Sequence, residues 1–352
     1  MRCDQLAKRN ETIDRLRGFA MLWVIVVHTL YWGNFSSDSY YNLLKSFFLF
    51  EMPLFFFVTG ASNSFSRTKG YFNFVYKRYK RILIPYWVFA LICAGWTIGR
   101  IIRREGGIEI KTAAEILFSW LLPLDRQITS IQYLTWAVWF VPVYLCVVLI
   151  IPLLKKIRQT RVAFAFLAAL IALFALICVF KLGWIQNVVF YSIWTYIGLF
   201  YSDIILWIKD LRFVYLLWII TFIGTAALIV LYNTGYPIDM QYNKFPPNII
   251  FLIFSIVAMS LIILSIPHVD QIYDRICRIN LVKRIFDLFS NRSLTIFLYQ
   301  VFAFTVSIRL VYNILSGDTA LLGIVKSVIC FFITVPICAL IALLLGSIED
   351  LS

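Results

Sequence analysis

Apolar residues are gathered into long blocks separated by short polar stretches, and this alternation dominates the chain. A run of about twenty apolar residues is what a helix needs to cross a bilayer. Such runs lie at 16–32, 43–65, 82–99, 134–154, 162–180, 188–206, 213–232, 249–266, 293–312 and 321–345. They predict ten spans in one all-α, polytopic transmembrane helix bundle covering 1–352, with no soluble module. Two stretches are not simple connectors. The segment 99–133 contains an apolar patch, 113–124, too short to span, which predicts an interfacial or re-entrant helix. The segment 267–292 mixes charge with apolar spacing suited to a short surface helix. Basic residues precede the first run, as in a signal peptide. No small-x-small cleavage site follows it, so an uncleaved first helix is expected.

Charge fixes an expected orientation. With the N-terminus cytoplasmic, inside segments hold 22 lysines and arginines and outside segments 8, a bias that predicts both termini inside. Arg2, Lys8, Arg9, Arg67 and Lys69 count inside, and Arg126 and Lys244 outside. The net charge of +14 therefore sits in short loops as topology signals, and no base-reading motif accompanies it, so no nucleic-acid partner is expected. Only 14% of residues are charged and 62% are hydrophobic, which excludes an ordinary soluble domain. The seven cysteines (Cys3, Cys93, Cys146, Cys178, Cys277, Cys330, Cys338) form no CxxC, and most lie in apolar runs. They read as small hydrophobes.

The ionisable residues inside the spans carry the candidate chemistry, because such groups are costly in a bilayer. Arg17 and His28 stand eleven residues apart on the first span, hence on one helix face but about 16 Å apart along the axis. The arginine lies near one interface and the imidazole in the outer half of the hydrocarbon. A neutral imidazole can act as a general base on a hydroxyl; the bland alternative is a histidine bonding across helices. Glu51, at similar depth on the second span, is expected to orient His28. Arg78 and Arg81, flanked by Lys77 and Lys80, form an RxxR at the cytoplasmic mouth of the third span. The pair can grip phosphate, or can simply set topology. Asp14 is placed to pair with Arg17. Trp136, Trp139 and Pro142 read by default as interfacial anchors. Gln300, near mid-membrane, can bond a substrate or, more in keeping with its type, a neighbouring helix. His268 takes no role. No HxxxH or Cys/His spacing occurs, so no metal is expected.

Four segments occur in order: Asp14-x-x-Arg17-Gly18 followed by His28, Met52-Pro53-Leu54-Phe55-Phe56-Phe57-x-x-Gly60, Arg78-x-x-Arg81-x-x-x-Pro85, and Trp139-Phe140-x-Pro142. Together they resemble the acyltransferase-3 family of membrane O-acyltransferases over nearly the whole chain. The resemblance implies transfer of an acyl group, commonly acetyl from cytoplasmic acetyl-CoA, to a hydroxyl of a sugar, often in a cell-envelope glycan or glycolipid. It implies that Arg17 and His28 are the family's essential pair and that Arg78 and Arg81 are its second arginine motif. Many relatives carry histidine where Glu51 and Gln300 stand. Many also carry an extracytoplasmic hydrolase-like domain, so handover to such a domain would call for a separate extracytoplasmic partner protein.

The expected protein is thus a multi-pass enzyme of the cell membrane, using acetyl-CoA as donor substrate. Arg78 and Arg81, with Lys77 and Lys80, hold the donor's phosphates, and Arg17 stands at the entrance. The pantetheine arm threads the thioester up a continuous passage to His28. The rival reading is a transporter or flippase of a lipid-linked sugar, and a non-catalytic scaffold is the third.

Overall fold

The computed structural model describes residues 11–66, 70–124, 127–129 and 131–351. Cys3, Arg2, Lys8, Arg9, Arg67, Lys69 and Arg126 lie outside them. The chain folds into α1 (Glu11–Gly33), α2 (Ser39–Ser46), α3 (Glu51–Ser64), α4 (Tyr71–Glu105), α5 (Ile110–Leu121), α6 (Phe140–Arg158), α7 (Ala163–Phe180), α8 (Trp184–Gly198), α9 (Tyr201–Trp207), α10 (Leu211–Asn233), α11 (Met240–Lys244), α12 (Ile249–Ser265), α13 (Val269–Ile276), α14 (Asn280–Asn291), α15 (Ser293–Ile314) and α16 (Ala320–Leu345). Among the described residues nine helical segments are long and apolar enough to cross a membrane, or ten if α8 and α9 form one span bent by 56°. Each predicted run coincides with one of them.

The second run is not one helix. It divides into α2 and α3 around residues 47–50. Pro53 explains the break, because its ring clashes with the carbonyl four residues back and it donates no hydrogen bond, whereas it is tolerated in a first turn. The same logic opens α6, whose third residue is Pro142. The break puts Glu51 at the start of α3, where the helix dipole favours a negative charge.

Further on, α3 and α8 meet backbone to backbone. A Cβ on Gly60 would lie 2.0 Å from the Thr195 carbonyl oxygen, and one on Gly198 would lie 2.1 Å from that of Phe57. Only glycine allows this approach, the usual device for tight helix contacts in membranes. Gly18 has a comparable role, since a Cβ there would strike the Phe286 ring of α14 at 2.5 Å.

At the centre, α1 packs against α3, α14, α15 and α16, so its side chains face protein rather than lipid. By contrast, α7 and α10 bury little of their surface, as rim helices do. The patch 113–124 forms α5, which lies against α4 through hydrogen bonds from Tyr86 Oη to Trp120 O (2.7 Å) and Trp87 Nε1 to Leu121 O (3.1 Å). At twelve residues it is about 18 Å long and cannot span. The segment 267–292 forms two short helices, α13 and α14. Arg15 of α1 bonds Asp270 of α13 at 2.7 Å, and Tyr273 bonds Asp287 of α14 at 2.8 Å.

The start of α1 and the C-terminal turn share one end of the bundle. Ser290 donates to the Asp14 carbonyl, and Arg292 makes two bonds of 2.6 Å to Asp350 beyond α16. At the opposite end the Ser37 hydroxyl and backbone N–H donate to Asp318, holding its carboxyl below the usual carboxylate range.

Candidate functional site

Two cavities lie along the face of α1 that carries Arg17 and His28. The larger, about 430 Å³, contains His28, Tyr31 and Trp32 from α1, Glu51 and Met52 from α3, and Trp136, Trp139, Lys244, Phe245 and Phe297 from other elements. Its volume is in the range of small-molecule sites. The smaller, about 90 Å³, contains Arg17, Arg78 and Arg81 together with Ser62, Asn63 and Glu349.

His28 is half-buried in the large cavity. Trp32, one turn on, stacks on its ring at 4.0 Å with 9° between the planes. Its Nδ1 lies 3.0 Å from Gln300 Oε1, while Gln300 Nε2 donates to the Phe297 carbonyl at 2.9 Å. These two contacts set the tautomer. A carboxamide nitrogen donates and its oxygen accepts, so the oxygen faces the imidazole and Nδ1 must carry the hydrogen. The lone pair is then on Nε2, the form a general base requires. Gln300 is fully buried and bonds a neighbouring helix, as its residue type suggested, and the helix it bonds is the one carrying His28.

Glu51 is not the partner of His28. It forms a buried ion pair with Lys244, through Oε1. A full positive charge outcompetes a neutral ring for a carboxylate taken out of water. The sequence reading placed Lys244 among outside loop charges, but the connector between α10 and α12 folds back so that its side chain is only 4% exposed. The signal available was a lone lysine before Phe245-Pro246-Pro247, with no other charge in that connector but Asp239. Trp139 likewise is more than an interfacial anchor. It faces the cavity, with Lys244 Nζ 6.0 Å from its ring centroid and Phe245 edge-on at 5.0 Å.

In the small cavity three guanidinium groups converge from two helices. Arg17 bonds Asp14 (2.9 Å), as its spacing predicted, and Ser62 Oγ of α3 (2.8 Å). Arg78 bonds Asn63 Oδ1 at 3.0 Å. Arg81 contributes from one turn further along α4. Lys77 and Lys80, on the same helix, are exposed and do not face this cavity. Asp14 instead borders a third opening with Arg15, Tyr273 and Lys283. Sequence reasoning passed over Ser62, Asn63 and Glu349. The last of these accepts from Thr295 N and Oγ1 and so satisfies a free N–H in the first turn of α15.

The expected continuous passage is not seen between these two cavities among the described residues. The two cavities share no residue. Phe55 and Phe140 border the small one and Phe297 the large one, with ring centroids 5.2 Å (Phe55–Phe140) and 4.8 Å (Phe140–Phe297) apart. These three rings, in contact one after another, stand as an aromatic partition between the lining of the guanidinium cavity and that of the imidazole cavity. Phe297 also supplies the carbonyl that holds Gln300.

A family model described as an acyltransferase domain matches residues 10–343. No curated protein and no solved structure matches the chain.

Proposed function

The chain belongs to the acyltransferase-3 family, and from that premise we propose that it moves an acyl group, acetyl in the first instance, from cytoplasmic acyl-CoA to a sugar hydroxyl of a cell-envelope glycan or glycolipid. Membership and the many apolar helices make it an integral membrane acyltransferase. The donor, the acceptor, the cytoplasmic placing of the arginine end and residence in the cell membrane are our reading.

One observation carries it. On one face, α1 presents Arg17 to a guanidinium cluster completed by Arg78 and Arg81 of α4 at one cavity, and at the other an imidazole whose Nδ1 meets Gln300 Oε1. Arg17, Arg78 and Arg81 suit the phosphates of a polyanionic carrier, which cannot enter hydrocarbon. The basic-loop bias favours the cytoplasm for that end, the compartment in which acyl-CoA is found. Trp32, Trp136 and Trp139 suit a sugar, offering apolar faces to its C–H surface beside polar groups that bond its hydroxyls.

His28 Nε2 removes the proton from the acceptor hydroxyl. The resulting oxygen attacks the thioester carbonyl, and the C–S bond breaks. The departing CoA sulfur takes the proton from the imidazolium, so His28 is restored. In the covalent variant Nε2 attacks the thioester carbonyl and the CoA thiolate leaves; the acceptor hydroxyl then attacks the acyl-imidazolium, the C–N bond breaks, and the hydroxyl proton passes to water, with ping-pong kinetics distinguishing the two. Either course requires the Phe140–Phe297 contact to part so that the pantetheine arm reaches His28.

The test uses purified protein in proteoliposomes with radiolabelled acetyl-CoA and envelope glycan as acceptor. Label entering the glycan only when both are present is the expected result. Passage of unmodified lipid-linked sugar across the bilayer with no labelling would overturn this reading in favour of a transporter.

A further inference from the structure

We propose that Glu51 selects the acceptor: its free carboxylate oxygen receives a hydrogen bond from a second sugar hydroxyl while His28 deprotonates the first. The inference rests on the acyl-transfer reading above. Glu51 is 1% exposed and lies in the same cavity as His28. Its Oε1 is held by Lys244, but its Oε2 has no hydrogen-bond partner among the described residues. Buried carboxylate oxygens are rarely left unpaired, because neither water nor protein then offsets the loss of hydration. An unsatisfied acceptor atom buried in the wall of a ligand-sized cavity points to a donor on the ligand, met once the carboxylate turns toward the cavity.

The chemistry of that donor is constrained. Oε2 can only accept, so the ligand must offer O–H or N–H. The negative charge is already matched by Lys244, so an ammonium group gains little by replacing a hydroxyl there. A carboxylate or phosphate on the ligand would face the Glu51 charge directly. Uncharged donors remain, and the hydroxyls of a sugar supply them. The ring that fits bears two neighbouring hydroxyls, one directed to His28 Nε2 and one to Glu51 Oε2. Lys244 acts through Glu51 as a positioning residue: it pins Oε1 and so fixes where Oε2 points. Its ammonium group is braced in turn by Phe245, whose ring centroid is 5.3 Å away. A site built to bond a particular hydroxyl discriminates strongly against analogues that lack it.

The experiment compares the wild type with Glu51→Gln and with the double variant Glu51→Gln/Lys244→Met. The double variant removes both buried charges and so avoids leaving Lys244 unpaired. Envelope glycans from cells carrying each protein are analysed by NMR for the position and amount of acyl groups. The purified proteins are assayed for donor and acceptor KM with acetyl-CoA and the same glycan. The expected result is an acceptor KM raised about tenfold or more, a donor KM within about twofold of wild type, and acylation spread over neighbouring hydroxyls. Acylation of the wild-type position with an unchanged acceptor KM in both variants would overturn the proposal. So would an equal rise in donor and acceptor KM, which would mark a purely structural pair. If the wild type itself adds no acyl group, the acyl-transfer reading falls, and this inference with it.

Discussion

The chemistry proposed for His28 depends on which of its nitrogens bears the hydrogen, and Gln300 makes that choice. Replacing Gln300 with leucine removes one hydrogen bond, worth about 1 kcal/mol. It should lower kcat about fivefold or more and leave donor KM unaltered, as steady-state kinetics with acetyl-CoA can check. Arg78→Ala should act in the opposite way. Loss of a charge-assisted phosphate contact, about 1.5–3 kcal/mol, should raise donor KM about tenfold or more with a smaller change in kcat. The shared face of Arg17 and His28 was legible from the sequence because it follows from helix geometry alone. So was the Asp14–Arg17 pair, observed at 2.9 Å. The partners of His28 and Glu51 were not, because Gln300 and Lys244 approach from residues far away in the chain, and no local rule brings them there.

Among the elements, the apolar runs foretold where helices lie, and the short patch 113–124 foretold a helix that does not cross. What the runs concealed was their breaks. Residues 47–50 are as apolar as their neighbours, and only Pro53 marks the point where α3 begins. The contact of α3 with α8 was hidden too, since Gly60 and Gly198 are ordinary glycines until their backbones are seen to touch. Gly198→Ala would drive a methyl group into the Phe57 carbonyl, which cannot move aside without displacing α3. It should destabilise the protein by about 1–3 kcal/mol, the usual range for overpacking, as a lowered thermal midpoint in detergent would reveal. Gly95→Ala, whose Cβ would meet nothing, is the control and should leave the midpoint in place.

For the molecule as a whole, the essential arrangement is two cavities at different depths with an aromatic partition between them. The partition was invisible in the sequence, where Phe55, Phe140 and Phe297 are three among 32 phenylalanines. Under the proposed acyl transfer it would keep the thioester from water until the acceptor is seated. Phe297→Leu should open the partition and raise acceptor-independent hydrolysis of acetyl-CoA several-fold, measured as thiol release in the absence of glycan. The decisive comparison is between the wild type and His28→Ala in reconstituted membranes, scored as radiolabelled acetyl incorporated into glycan. Loss of incorporation in a variant that inserts and melts like the wild type is the predicted result. Incorporation by His28→Ala at the wild-type rate would contradict the placing of the reaction at this imidazole.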